Sequence, residues 1–347
     1  MATEHAHEQV ISTVGLTKAY ESLVAVSDLN LEVLRGDVFG FLGPNGAGKT
    51  TTIRMLLGLI RPTAGNISLF GLDNATHLHE ILPRIGAIVE TPVFYPYLSG
   101  VDNLRIVAAA SGMKLGRANQ ARMDEVLDLV DLGARGGDTY RTYSLGMKQR
   151  LALGAALLTD PELILLDEPT NGLDPAGVRE IRQLIGRLAE AGKTVFLSSH
   201  ILSEIQQVCN RVAILQKGKL IKQGDVQELL SGGQQLLVRL GTPEETEQAL
   251  VILQQASKRD MNWITRVSSG SDSHGQPVLF VDAPTTRSQE ITALLARNGL
   301  IVAEMYQHQT SLEEFFLELT GTDAGEGARA RKGGLLRTRF GSGSPAK

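Results

Sequence analysis

The 347-residue chain contains one cysteine, Cys209, so no internal disulfide can form and a cross-linked scaffold is excluded. That usage fits a reducing compartment, with Cys209 read as a small apolar residue on a helix face. No apolar run approaches the length needed to span a bilayer, so any membrane spans must come from another chain. The first residues, MATEHAHEQV, have no apolar core and do not read as a signal peptide. His5 and His7 sit on this polar end and are expected to hold no metal. Strong charge of one sign is also missing: 34 Lys and Arg against 38 Asp and Glu leave −4. Nothing in that balance suggests a nucleic-acid partner. There is no internal repeat and no long heptad run.

What remains is 42% apolar and 21% charged, the composition of a soluble globular protein with enough chain for two domains. One stretch organises it, Gly43-Pro44-Asn45-Gly46-Ala47-Gly48-Lys49-Thr50-Thr51. An apolar run, Val38 to Leu42, leads in, and a helical pattern beginning Thr52-Ile53-Arg54 leads out. Strand, glycine loop and helix is the setting in which this spacing cradles a polyphosphate. The glycines let successive N–H groups turn inward, and the helix points its positive end the same way. Lys49 would reach the β- and γ-phosphates, and the Thr50 hydroxyl would sit on Mg²⁺.

Periodicity predicts strands at Val10–Leu16 and Val24–Val33, the latter alternating apolar and polar through Leu29-Asn30-Leu31-Glu32-Val33. Further strands are expected at Asn66–Phe70, Ile85–Val89, Leu163–Leu166 and Thr194–Leu197. Helices are expected from Asp102 to Val130, broken near Gly112 and Gly116, then at Leu151–Leu158, Pro175–Ala191 and Ile201–Val208. Alternating strands and helices imply a mostly parallel sheet covered on its faces. Beyond Ser231-Gly232-Gly233 the order becomes β-α-β-β-α-β: Leu236–Leu240, Pro243–Ala256, Met261–Val267, Val278–Asp282, Arg287–Arg297 and Leu300–Tyr306, with Ser268–Gln276 a loop. That order suggests a small α+β, ferredoxin-like unit. A last helix, Ser311–Leu319, starts on a capping box, Ser311-Leu312-Glu313-Glu314. The expected division is 1–232, 233–320 and a disordered basic tail, 321–347, carrying Arg329, Arg331, Lys332, Arg337 and Arg339. That tail reads as a solvated end, with contact to anionic lipid as the other reading.

Hydrolysis needs a carboxylate for Mg²⁺ and a base to activate water. Both stand at the end of the apolar strand Leu163–Leu166, where α/β sheets collect ligands. Asp167 would hold the metal through water, and Glu168 would polarise the attacking water. Together with Lys49 and Thr50 they describe a nucleotide hydrolase.

At this point the chain from Val10 to about Leu230 resembles the ATP-binding subunits of ABC transporters, with the P-loop NTPase α/β fold of that family. Gly43–Thr51 matches its Walker A loop and Leu163–Glu168 its Walker B strand. Asn171-Gly172-Leu173-Asp174 matches the D-loop and His200 the switch histidine. Tyr20 stands at the adenine-stacking position. Tyr143-Ser144-Leu145-Gly146-Met147 stands where the family carries Leu-Ser-Gly-Gly-Gln, retaining Ser144 and Gly146. The resemblance implies ATP and Mg²⁺, with two subunits head to tail. Ser144 and Gly146 of one would bind the γ-phosphate held by Lys49 of the other, and Ser144 also reads as a plain helix N-cap. His200 would touch the γ-phosphate and Asp174 would couple the two sites. Glu90 replaces a usual glutamine and would be a Mg²⁺ ligand beside the membrane partner.

The signature, Glu90 and the small C-terminal unit resemble exporters of the bacitracin-resistance and daunorubicin type, whose channel is a separate polypeptide. The implied protein is an ATPase on the cytoplasmic face of the plasma membrane, a homodimer working with a multi-span permease. Its cargo would be a drug, antibiotic, lipid or ion. Two alternatives stand: an importer subunit with a regulatory C-terminal domain, and an ABC-type ATPase with no channel.

Overall fold

The computed structural model describes residues 8–90, 93–114, 116–230, 235–272, 275–308, 312–313 and 315–316. His5, His7, the Ser231-Gly232-Gly233 break, the Ser311 cap and the tail 321–347 lie outside them. The chain opens with β1 (Gln9–Tyr20), β2 (Leu23–Leu34), β3 (Val38–Leu42) and α1 (Lys49–Leu56). β4 (Ala64–Leu69), β5 (Leu72–Asp73), α2 (Leu78–Ile81) and β6 (Ile85–Ile88) follow. Then come α3 (Gly100–Ala110), α4 (Arg117–Leu129), α5 (Leu145–Leu157), β7 (Leu163–Asp167) and α6 (Pro175–Glu190). β8 (Thr194–Ser199), α7 (Leu202–Val208), β9 (Arg211–Gln216), β10 (Lys219–Asp225) and α8 (Val226–Leu230) complete the larger part. The C-terminal part is β11 (Gln235–Arg239), α9 (Pro243–Ser257), β12 (Arg266–Ser271), β13 (Pro277–Asp282), α10 (Ser288–Arg297) and β14 (Glu304–His308).

Among the described residues three sheets form, and the central one runs β10-β9-β3-β8-β7-β6. All its pairs are parallel except the β9–β10 hairpin at one edge. Its inner strands are buried on both faces, which is why they read as unbroken apolar runs. Successive side chains point to opposite sides. Phe39 and Phe41 of β3, Leu163 and Leu165 of β7 and Phe196 of β8 join one core. Val38, Leu42, Ile164, Leu166, Val195 and Leu197 join the other. The first core is closed by an antiparallel sheet, β2-β1-β4-β5, and by Ile53, Met55 and Leu56 of α1. The second is closed by residues of α3 to α7.

At the strand ends away from the glycine loop, Glu162 bridges Arg84 Nε at 2.6 Å and Arg35 Nη1 at 2.9 Å. The Arg84 guanidinium, joined by Arg35, holds the Glu162 carboxyl down to about 2 from an ordinary 4.5, against the opposing effect of partial burial. Because the folded value is depressed, this stabilisation is present above 4.5 and is lost as pH falls towards 2. Urea midpoints measured across that window should therefore fall less in Glu162→Gln than in the parent chain. Equal slopes would show that the bridge contributes nothing.

The C-terminal sheet has the antiparallel order β12-β13-β11-β14 expected of a ferredoxin-like unit, and its own apolar cluster includes Leu236, Leu253, Val281 and Leu295. Two boundaries differ from expectation. β12 spans Arg266–Ser271, so the predicted strand Met261–Val267 starts too early and the predicted loop begins inside a strand. Pairing with β13 overrides the poor strand preference of Ser268-Ser269-Gly270, and the Phe280 ring lies across Gly270. β14 starts at Glu304 rather than Leu300, which is instead buried in the cluster after α10. β1 also runs on to Tyr20, passing register shifts around Gly15, whose φ is +61°.

Candidate active site

The C-terminal ends of β3, β7 and β8 lie side by side, with Leu42 opposite Ser199 and Asp167 opposite Ser198. The glycine loop leaves β3 there and must pass close under two neighbouring strands. A Cβ on Gly43 would stand 2.6 Å from the Leu215 carbonyl oxygen. One on Gly48, at φ +105°, would stand 2.6 Å from that of Ala25. Neither position accepts a larger residue.

Lys49, only 6% exposed, turns back over the loop. Its ammonium donates to the Gly43 carbonyl at 2.7 Å and pairs with Glu168 Oε1 at 3.0 Å. The other Glu168 oxygen lies 2.6 Å from His200 Nδ1. Glu168 adopts φ +49°, a left-handed conformation costly for a residue with a Cβ and found where a site demands it. Beneath this trio Thr50 Oγ1 donates to Asp167 Oδ2 at 2.7 Å. Ser198 pins the arrangement: its hydroxyl donates to Asp167 Oδ1 at 2.5 Å and accepts the Glu168 N–H at 3.0 Å. Two strands and the loop thereby share one hydrogen-bonded cluster.

A cleft of about 660 Å³ opens over this cluster, lined by Tyr20, Asn45, Gly46, Gly48, Lys49, Thr50, Thr51, Glu168 and His200. Gly43, Pro44 and Ala47 form the loop's base and do not line it, and Asp167 lies below, 8% exposed. Tyr20 ends β1 with Lys18 Nζ 4.9 Å from its ring centre. The cleft has polar walls and an apolar end at Leu23, Val24 and Ala25, as a charged chain joined to a flat ring would require.

Four expected residues are not brought to the cleft of their own chain. Ser144 caps α5, its Oγ accepting the Met147 N–H at 3.2 Å. Gly146 lies half-buried in the first turn, beside the exposed Ser144 and Leu145, where the N–H groups have no intrahelical acceptor. Tyr143 anchors this turn by donating to the Arg135 carbonyl at 2.7 Å. Asp174 caps α6 through the Gly177 N–H at 2.8 Å. Glu90, at φ +65°, pairs with Arg54 on the surface and does not line the cleft.

Several contributors escaped the reading of the sequence. The hairpin β9–β10 turns at Lys217 (φ +49°) and Gly218 (φ +78°), and Lys217 lines the cleft. The Gly218 N–H donates to the Ala47 carbonyl at 3.1 Å, so this turn buttresses the glycine loop. A Lys-Gly pair between two apolar runs was the available signal. Asn171, expected only as the first residue of the D-loop match, also lines the cleft. For Ser198 the only hint was a hydroxyl ending an apolar strand.

The sequence profile of the ABC transporter family matches residues 26–171. The bacitracin transport ATP-binding protein BcrA of Bacillus licheniformis is 41% identical over 313 residues, covering 90% of this chain and 97% of its own length. The daunorubicin/doxorubicin resistance ATP-binding protein DrrA of Streptomyces peucetius is 35% identical, covering 91% and 94%. A solved ATP-binding subunit of an ABC transporter superposes with a TM-score of 0.57 at 30% identity, over 64% of this chain and 92% of that one. The similarity to the two relatives runs through the C-terminal sheet as well as the cleft. Among the described residues no helix is long and apolar enough to cross a membrane. The chain belongs to the ABC transporter family, as one of its nucleotide-binding ATPase subunits.

Proposed function

We propose that this subunit powers export of a drug or antibiotic through a separate membrane-spanning permease, from the cytoplasmic face of the plasma membrane. The observation that carries the catalytic reading is the convergence of Lys49, Glu168 and His200 on one cleft, above Thr50 and Asp167. Lys49 and the loop N–H groups hold the phosphates, and Tyr20 takes the adenine face. Glu168 accepts a proton from the attacking water while His200 steadies both Glu168 and the γ-phosphate. Thr50 and Asp167 offer hard oxygen ligands within 2.7 Å of each other, a donor set that suits Mg²⁺ once phosphate and water oxygens are added. Bound there, Mg²⁺ would offset phosphate charge. Glu90, held by Arg54, is assigned no metal contact in this reading.

The second copy supplies Ser144 and Gly146. Their exposed helix N-terminus suits the far side of a γ-phosphate, and the Asp174 turn lies beside it, with Leu145 approaching Gly172. Residues 1–232 act as the ATPase unit and 233–320 as an accessory unit. A larger cleft, about 1120 Å³, lies along the open edge of β6 beside α3 and α5. Val93, 95% exposed, and Phe94 line it close to Glu90, and we assign this apolar face to the permease. The names of the relatives, bacitracin transport and daunorubicin resistance, favour export over import.

The test is purification of the tagged chain from membranes of its source, with identification of what accompanies it. A multi-span protein released only by detergent is expected, and its absence would contradict the assignment. Glu90→Gln should change ATP turnover by less than about threefold, because an exposed ion pair contributes about 1 kcal/mol or less. Steady-state rates decide this, and a collapse would give the carboxylate its own role.

A further inference from the structure

α7 begins two residues after His200 and has only seven residues, too few to hold its shape without tertiary support. Its lower face is set by Ile205, fully buried over Gly40 of β3 so closely that a Cβ on the glycine would collide with it. Each polar residue from Glu204 onward is tied to a different element. Glu204 Oε2 accepts from the Thr170 hydroxyl at 2.6 Å, fastening α7 to the loop that follows Glu168. Gln207 pairs with Arg182 of α6. Gln206 Oε1 accepts the backbone N–H of Leu312 at 3.0 Å.

This last tie is the unexpected one, because Leu312 lies beyond the C-terminal sheet. The chain leaves through α8, builds that sheet, and then returns. Leu312 is fully buried in the core that also holds Ile205 and Cys209. Phe315 and Phe316, with Leu229 and Leu230 of α8, pack against the same core. The accessory sheet is thus fastened to the ATPase body at both ends, and one fastening is the helix that directly follows His200.

We propose that the segment around Leu312, acting through Gln206, is a positioning element for His200 and sets the rate of ATP turnover rather than the affinity for ATP. The inference rests on the reading of His200 as a γ-phosphate ligand given above. A fixed α7 keeps His200 at hydrogen-bond distance from Glu168; a loosened one lets the imidazole drift from the reacting phosphate. Misplacement of a group used in the transition state lowers kcat and leaves ground-state binding nearly unchanged.

The test uses the full chain with Gln206→Leu, which removes the acceptor, and Gln206→Glu, which restores one. Gln206 is half-buried, so neither change should unfold the protein, and thermal midpoints check this. Gln206→Leu should lower kcat about three- to tenfold with KM for ATP within about twofold. Gln206→Glu should recover most of the loss, and Leu312→Ala should show the same kcat-only pattern. On a His200→Ala background, Gln206→Leu should cause no further loss. If His200→Ala is impaired while Gln206→Leu turns over normally, the inference alone is overturned. An equal loss in the Leu and Glu variants, or a rise in KM alone, overturns it too. If His200→Ala keeps full turnover, the reading of the site falls first and this inference with it.

Discussion

Glu168→Gln is expected to bind ATP and hydrolyse it about 10²–10⁴-fold more slowly. The loss corresponds to about 3–5 kcal/mol of barrier, the usual contribution of a well-placed general base. The substitution is nearly isosteric. The amide keeps one oxygen for the Lys49 ammonium, 3.0 Å away, and the same backbone stem at φ +49°. What disappears is the negative charge and, with it, the carboxylate oxygen able to take the proton of the attacking water. Folding and nucleotide affinity should therefore survive. Rapid-quench measurement of a single turnover, with filter binding of labelled ATP, separates the two effects. Turnover within about threefold of the parent chain would remove Glu168 from the role of base.

Lys49→Ala is expected to fail earlier, at binding. The ammonium is almost fully buried, held between a backbone carbonyl and a carboxylate, and faces the cleft. Removing it leaves Glu168 with its negative charge directed at the place a triphosphate must occupy. Truncating one partner of a buried charge pair costs about 2–5 kcal/mol, so the Kd for ATP should rise at least about 30-fold. Lys49→Arg should rescue poorly, since the loop encloses a slim stem and a branched guanidinium demands more room. Calorimetric titration with ATP gives the answer. Unchanged affinity in Lys49→Ala would show that the phosphates lie elsewhere.

The contrast between the two variants mirrors how the site is built. Lys49, Thr50 and Asp167 were legible in the sequence because their chemistry is local: a loop of fixed spacing and a carboxylate closing an apolar strand. The inner strands were equally legible, since burial on both faces writes itself as an uninterrupted apolar run. The partners that orient these groups were not. Ser198 lies 31 residues from Asp167 in the chain and meets it only because β7 and β8 are neighbours in the sheet. Lys217 and Gly218 support the glycine loop from a hairpin about 170 residues downstream, and strand alternation there is blurred by burial of four successive residues in β9. Arg54 takes Glu90 to the surface by a contact that no local pattern announces. β12 was misplaced because its residues are poor strand formers that pair well with β13. Chemistry carried by one segment could be read directly, and chemistry shared between segments required the fold.

The central claim is that ATP joins two copies of this chain, each closing the other's cleft with its Ser144–Gly146 turn. Small-angle X-ray scattering of the purified Glu168→Gln chain, with and without saturating Mg-ATP, tests it most directly. The account predicts a scattering mass that doubles on adding Mg-ATP and stays single when Lys49 is also replaced by alanine. A mass that remains that of one chain with ATP demonstrably bound would contradict it.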